Sequence, residues 1–210
     1  MSSEGEQISG YRYADAGASH AHDYLWAPVL RILGGLPGRP RRVFELGCGN
    51  GSFAHRLRQA GYEMVGVDPS SEGIAQARQA YPDLRLFRGS AYDDLATEYG
   101  RFPVVLSVEV VEHVYFPRRY AATVFDLLEP GGVAIISTPY HGYLKNLALA
   151  ASGKMDAHFT ALWDHGHIKF WSVKTLSALL HEAGFRDLHF KRVGRIAPLA
   201  KSMIVIARRP

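Results

Sequence analysis

Five stretches rich in β-branched and other apolar residues, 42–46, 63–68, 84–88, 104–108 and 133–138, recur along the first two thirds of this 210-residue chain. Their apolar positions run together instead of alternating, as in parallel strands covered on both faces. Between them lie segments with helical spacing, 52–60, 70–80 and 117–128, stopped by Gly61, by Pro82 and by Pro130-Gly131-Gly132. This alternation predicts an α/β fold with a doubly wound, mostly parallel sheet.

The last third leaves that rhythm. An irregular stretch rich in histidine and aromatic residues, about 139–170, precedes a helix at 172–183 and two β-like runs at 185–193 and 201–207. Two consecutive strands predict a closing antiparallel hairpin, which brings the sheet to seven strands. The length suits one core, so the reading is one domain over 42–210, with a substrate-side insertion at 139–170 and a helical N-terminal lid over 1–41.

Composition narrows the class. With 47% hydrophobic and 21% charged residues, and no apolar run long enough to cross a bilayer, the chain reads as soluble and globular. Its charge of +4 is scattered and argues little for nucleic acid. A single cysteine, Cys48, excludes an internal disulfide framework, and the polar first ten residues carry no secretory signal, so a cytoplasmic location is expected. His141, His158, His165 and His167 crowd one region with Trp163 and Trp171.

The first strand runs into Glu45-Leu46-Gly47-Cys48-Gly49-Asn50-Gly51. In a parallel sheet the ligand crevice lies beyond the carboxyl ends of the strands, where strand order reverses. Glycines there let a ligand approach the main chain. A dinucleotide fingerprint, G-x-G-x-x-G, would place its third glycine at Ser52, whereas the glycine stands one place earlier at Gly51, which disfavours a nicotinamide or flavin. Glu45 suits a cofactor with a cationic amino-acid moiety, and Asp68, ending the second strand, can take both hydroxyls of a ribose. A plain tight turn and a helix cap are the structural alternatives. Cys48 has no base beside it in sequence and reads as a small loop residue.

At this point the chain resembles class I S-adenosylmethionine-dependent methyltransferases: V-F-E-L-G-C-G-N-G followed by V-G-V-D-P-S is similar to their first two motifs, and the likeness runs from about Arg42 onward. The resemblance implies a Rossmann-like methyltransferase fold with S-adenosyl-L-methionine as cofactor. It further implies that Gly47, Cys48, Gly49 and Asn50 wrap the methionine part and that Asp68, with Pro69 beside it, holds the ribose. Ser90 and Ala91 would flank the adenine, and Ser107 and Val108 would lie near the sulfonium.

After the fourth strand comes Glu109-Val110-Val111-Glu112-His113. On a helix or turn, positions i, i+3 and i+4 share a face, so Glu109, Glu112 and His113 would converge at the sheet edge as a site for Mg²⁺, Mn²⁺, Fe²⁺ or Zn²⁺. The pattern resembles ubiquinone-pathway O-methyltransferases and the 2′-O-methyltransferases of small-RNA 3′ ends. In the latter such a set binds a divalent cation with a downstream histidine, for which 164–171 offers His165 and His167. His167 completes the expected set of Glu109, Glu112, His113 and His167, as metal ligands or as catalytic groups. The alternative is that Glu109 orients cofactor-loop waters or the cofactor amine, while Glu112 and His113 cap or line a helix.

Tyr140 and His141 follow the fifth strand and are expected to face the pocket. On 143–151, Leu144, Leu147, Ala148 and Ala151 share a helical face, with Phe159, Leu162 and Trp163 beyond, and form an apolar lid. Core packing is preferred for that face over peripheral membrane contact, which the quinone-pathway likeness raises. Before the first strand, Tyr13, His20 and His22 are candidates to close the site, with His165 among the acceptor-facing residues; Tyr24, Leu25, Trp26 and Leu30 form the packing face of a first helix. The expected activity is methylation of a hydroxyl oxygen on a small molecule, with His113, His165 or His167 taking the proton. N-methylation, RNA 3′-end methylation, a cofactor-binding regulator and an oxidoreductase are the competing readings. The modest charge and lack of an added RNA-binding domain count against RNA, and the oligomeric state is not legible.

Overall fold

A computed structural model describes Gly17 and residues 20–164 and 166–210. The elements run α1 (His20–Gly35), β1 (Arg42–Leu46), α2 (Ser52–Gln59), β2 (Glu63–Asp68), α3 (Ser71–Ala80), β3 (Arg85–Arg88), α4 (Leu95–Tyr99), β4 (Phe102–Val108), α5 (Pro117–Asp126), β5 (Leu128–Pro139), α6 (Tyr143–Ala151), α7 (Met155–Phe159), α8 (Val173–Glu182), β6 (Arg186–Val193) and β7 (Ser202–Arg208). A short 3-10 turn, Ala197–Leu199, precedes β7.

The strands form one sheet in the order β3-β2-β1-β4-β5-β7-β6. β1 to β5 are parallel, while β7 lies antiparallel between β5 and β6. The doubly wound sheet with a C-terminal hairpin is therefore present. Strand order reverses between β1 and β4, so the loops leaving these strands diverge and open a crevice there.

Alternation along the strands divides the core into two layers. Phe44, Leu46, Val105, Ala134, Ile136 and Val205 face Tyr120, Val124, Leu176 and Leu180 of α5 and α8. Val43, Val104, Leu106, Ile135 and Ile204 face Leu25, Val29, Phe53, Leu57 and Ile74 of α1, α2 and α3. In α1 the fully buried positions are Leu25, Val29 and Leu33, a spacing of four, with Tyr24, Trp26 and Leu30 partly buried against that layer. Trp26 meets Phe53 edge-on at 5.5 Å and carries the Arg56 guanidinium 4.2 Å above its ring. Helix 20–35 thus belongs to the core of the 42–210 unit.

On α6 the expected apolar packing is overturned. Leu144 and Leu147 are exposed, and the buried residue of that helix is Lys145. Among the described residues, no helix is long and apolar enough to cross a membrane.

Candidate functional site

The loop after β1 is held by two amides, Gly47 N and Cys48 N, which donate to Val67 O at 2.8 and 3.0 Å. Gly47, Gly49 and Gly51 all take positive φ, at 84°, 53° and 76°. At Gly47 space is as decisive as φ, because a Cβ would overlap Val110 Cγ2 and lie 3.2 Å from Cγ1. The turn after β4 therefore closes directly onto the loop after β1, and the crevice floor is backbone.

Asp68 organises the neighbouring edge. Its Oδ2 accepts from Gly49 N at 2.9 Å and its Oδ1 from Ser70 N at 2.8 Å, while Ser70 Oγ caps α3 by accepting from Gly73 N. Each carboxylate oxygen keeps a second lone pair for a diol. Burial raises its pKa to about 6 against the pull of those two amides. Pro69 separates Asp68 from the capping serine. Asn50 Oδ1 accepts from Ser52 N, and its amide donates to Gly17 O at 2.9 Å. The Cys48 thiol is buried in the core with its pKa pushed up by burial, then by Asp68 and Glu45, which leaves no thiolate for nucleophilic chemistry.

Glu45 is buried, its Oε2 has no hydrogen-bond partner, and burial, helped by the Asp68 charge, raises its pKa to about 8. A buried carboxyl with an empty acceptor beside a glycine loop fits an ammonium-bearing ligand, which would supply the missing donor and restore the charge. Ser90 and Ala91 are half-buried in the turn after β3, where Ser90 N donates to Asp93 Oδ2 at 2.6 Å and Gly89 N donates to Asp68 O. Asp93, which shapes this turn, carries no motif and was not legible in the sequence. The Ser107 hydroxyl is spent on Leu46 O at 2.9 Å and pins β4 to β1, and Val108 packs in the α1 layer.

The stretch after β4 is a turn in which His113 N donates to Val110 O. Glu109 sits in left-handed backbone, φ 55°, and is turned away from its neighbours. Its Oε1 accepts from Ser137 Oγ at 2.9 Å and its Oε2 from Ser202 Oγ at 3.2 Å; Ser202 in turn meets the Tyr24 hydroxyl at 2.8 Å. Burial raises its pKa to about 7, opposed by Ser137, Ser202 and the charge of Lys145.

Glu112, His113 and His167 come together instead, with one ligand atom from each within 4.8 Å of the others. The four-residue set expected from sequence is thus three residues here, because the left-handed backbone at Glu109 breaks the shared face that i, i+3, i+4 spacing assumes. Glu112 is buried, and among the described residues neither carboxylate oxygen has a hydrogen-bond partner; the Thr138 hydroxyl faces it without reaching hydrogen-bond geometry. Burial, then the Glu109 charge, hold its pKa well above the carboxylate range. His113 Nδ1 lies 3.2 Å from Gly166 O, to which it can donate. The His167 ring is 4.9 Å from that of His113, and burial, then the His113 charge, lower its pKa to about 4, so it is a neutral ligand or base at pH 7.

The segment bearing His167 is stitched to this turn. Ile168 N and Lys169 N both donate to Glu112 O at 3.0 Å, and Trp171 Nε1 donates to Val111 O at 3.0 Å. Tyr140 and His141 part company. Tyr140 is packed in the α5/α8 layer beside Gly142, where a Cβ would overlap its phenol, so it does not line an open pocket. His141 stacks on Phe159 at 5.8 Å, meets Phe170 edge-on at 5.0 Å and pairs Nδ1 with Asn146 Oδ1 at 3.3 Å. Burial lowers its pKa to about 4. Tyr13 and His165 lie outside the described residues, as do the side chains of His20 and His22.

Comparison with known proteins agrees with this geometry. A family model described as Methyltransferase domain matches residues 18–189. The chain is similar to a ubiquinone biosynthesis O-methyltransferase of Cereibacter sphaeroides, 33% identical over 156 residues, and to one of Azorhizobium caulinodans, 34% identical over 166 residues. These matches cover 71% and 76% of this chain and 62% of each relative, so the chain spans less than two thirds of the relatives' length. The fold matches an S-adenosylmethionine-dependent methyltransferase from Mesorhizobium loti with a TM-score of 0.66 at 23% identity, covering 91% of this chain and 99% of that one. A second such methyltransferase, from Archaeoglobus fulgidus, gives 0.67 at 19% identity over 88% and 93% of the two chains. A sheet whose strand order reverses at a glycine loop, an acidic β2 terminus that accepts from that loop, and a family match across most of the chain agree: this protein belongs to the methyltransferase-domain family.

Proposed function

We propose that the chain methylates a hydroxyl oxygen of a small molecule in the cytoplasm, with S-adenosyl-L-methionine as donor. The observation that carries this reading is the group of buried Glu112 and half-buried His113 and His167 at the carboxyl edge of β4, beside the cofactor loop. Gly47, Cys48, Gly49 and Asn50 would hold the methionine part, Glu45 its ammonium, Asp68 the ribose, and Ser90 and Ala91 the adenine edge. Bound there, the cofactor supplies a sulfonium methyl for in-line displacement. The residues of this chain must then take the hydroxyl proton as the O–C bond forms. His167, lowered to about 4, is a neutral imidazole acceptor, His113 stands beside it at 4.9 Å between ring centroids, and Glu112 is the buried carboxyl of the group.

The same three side chains support a divalent cation. Both oxygens of Glu112 lack partners among the described residues, and a nitrogen–oxygen donor set without thiolate suits Mg²⁺, Mn²⁺, Fe²⁺ or Zn²⁺. A cation held there would lower the pKa of the acceptor hydroxyl and orient it. The relatives' names support oxygen as the acceptor atom.

The test is a panel of phenols, catechols, amines and short RNAs incubated with methyl-labelled cofactor, with and without chelator. Label on phenolic or catechol oxygen is the expected result, with at least tenfold loss on chelation, restored by one of the four cations. Cofactor binding without transfer to any oxygen acceptor overturns the O-methylation reading, whereas transfer indifferent to chelator overturns the metal alone.

A further inference from the structure

The insertion between β5 and α8, with the loop before β7, gathers two cations, Lys145 and Arg195, and two imidazoles, His141 and His158, that the methyl-transfer chemistry does not use. Lys145, in the first turn of α6, is 8% exposed, and its ammonium donates to Tyr140 O at 2.8 Å and Lys201 O at 3.4 Å. Two carbonyls satisfy hydrogen bonds but not a charge, and among the described residues no carboxylate forms an ion pair with Lys145. Glu109, whose charge it feels, is bonded to Ser137 and Ser202.

Arg195, on the loop before β7, is exposed, and among the described residues no hydrogen bond or ion pair holds its guanidinium. His141 and His158 complete the group, their rings 5.4 Å apart, with Phe159 stacked on His141 and Phe170 edge-on to it. These groups repel one another. Lys145 is lowered by burial and then by Arg195, and His158 by burial and then by Lys145 and Arg195. Phe170, edge-on to His141 at 5.0 Å, lies three residues after His167, so the cluster adjoins the segment that reaches the β4 edge.

We propose that Lys145, Arg195, His141 and His158 form a subsite for an anionic group, a carboxylate or a phosphate, carried by the methyl acceptor, with Phe159 and Phe170 as its aromatic wall. The proposal rests on the methyltransferase reading and adds a charge to the acceptor. An anion here would neutralise the buried ammonium, which no carboxylate of the described residues pairs, and offer Arg195 a bidentate partner. The aromatic wall suits a planar, ring-bearing acid.

The experiment measures kcat/KM with labelled S-adenosyl-L-methionine for 3,4-dihydroxybenzoate, 3,4-dihydroxybenzyl phosphate and the neutral 3,4-dihydroxybenzamide, on the full chain and on Arg195→Gln and Lys145→Gln. Glutamine at 145 keeps donors for the carbonyls and removes the charge, which separates a structural tie from an electrostatic one. One of the two acids is expected to exceed the amide by roughly tenfold or more, as for a charge-assisted contact. Each variant should draw that ratio toward one. Equal use of amide and acids by the parent protein, or a ratio untouched in both variants, overturns the proposal. If none of the three is methylated, the methyl-transfer reading fails for catechols. Equilibrium titration of the protein saturated with S-adenosylhomocysteine then decides the subsite, by whether acid binds tighter than amide and whether Arg195→Gln removes the difference.

Discussion

Replacement of Gly47 by alanine tests whether the cofactor crevice is closed by contact between the β1 loop and the β4 turn. The new Cβ would meet two penalties. Left-handed backbone at φ 84° costs a non-glycine residue about 1–2 kcal/mol. Overlap with one γ carbon of Val110, with the other only 3.2 Å away, adds about 1–3 kcal/mol, the range for overpacking. The sum, about 2–5 kcal/mol, corresponds to a fall in Tm of roughly 5–20 °C for a domain of this size. Only the second term depends on Val110. In a double-mutant cycle by urea unfolding, Gly47→Ala and Val110→Ala should couple by about 1–3 kcal/mol, the double variant losing less than the sum of the singles. The φ penalty should remain. A Gly47→Ala cost below about 1 kcal/mol, or additivity of the two changes, would refute the claim that Val110 makes glycine obligatory here.

Further outcomes follow from the same geometry. Glu45 keeps its proton in the folded protein up to about pH 8 but releases it near its ordinary value when unfolded, so its contribution to stability is complete below pH 4.5 and lost as pH rises to 8. Urea unfolding from pH 5 to 9 should therefore show Glu45→Gln with a shallower decline than the parent, the difference amounting to a few kcal/mol; parallel curves would count against a protonated Glu45. Tyr24→Phe removes the hydroxyl that joins α1 to Ser202 and is expected to cost about 0.5–1.5 kcal/mol, and an unchanged unfolding midpoint would show the bond to be idle. Trp171→Phe removes the donor to Val111 O and should lower stability by about 1–3 kcal/mol while loosening the His167 segment, read as faster amide exchange at Ile168 and Lys169. Unaltered exchange at those amides would place the restraint elsewhere.

The parallel strands were legible because strands buried on both faces leave near-continuous apolar runs, as in Val104 to Val108, interrupted there by Ser107 alone. α4 and α7 were not: five residues each, they are too short to show a period. β5 begins at Leu128, well ahead of its apolar run, because Leu128 pairs with Phe102 before an irregularity, Glu129 to Gly132, and regular pairing resumes at Val133. On α6 periodicity gave the apolar face correctly but could not say which face the protein covers, and the covered side is that of Lys145. In the site, Gly47 to Asn50, Asp68 and Glu45 were readable since their geometry is set within one loop and the adjoining strand. Glu109 was grouped with Glu112 and His113 by assuming a helix, and a positive φ undid it. Ser137, Ser202 and Tyr24 left no trace, because the chain that joins them to Glu109, and Tyr24 to Ser202, spans 28, 93 and 178 positions.

The placement of β7 between β5 and β6 bears on how the protein is made. During synthesis β1 to β5 and the helices that cover them can assemble while β5 still presents an unpaired edge, and β6 has no strand to lie against until Ser202 to Arg208 emerge. That waiting edge is a template for a neighbouring nascent chain. Docking of β7 closes it and, through Ser202, delivers the last hydroxyl to Glu109. Removal of the aggregation hazard and completion of the Glu109 network are thus one event, and a ribosome stalled before residue 202 would hold a chain with most of its sheet and neither of them.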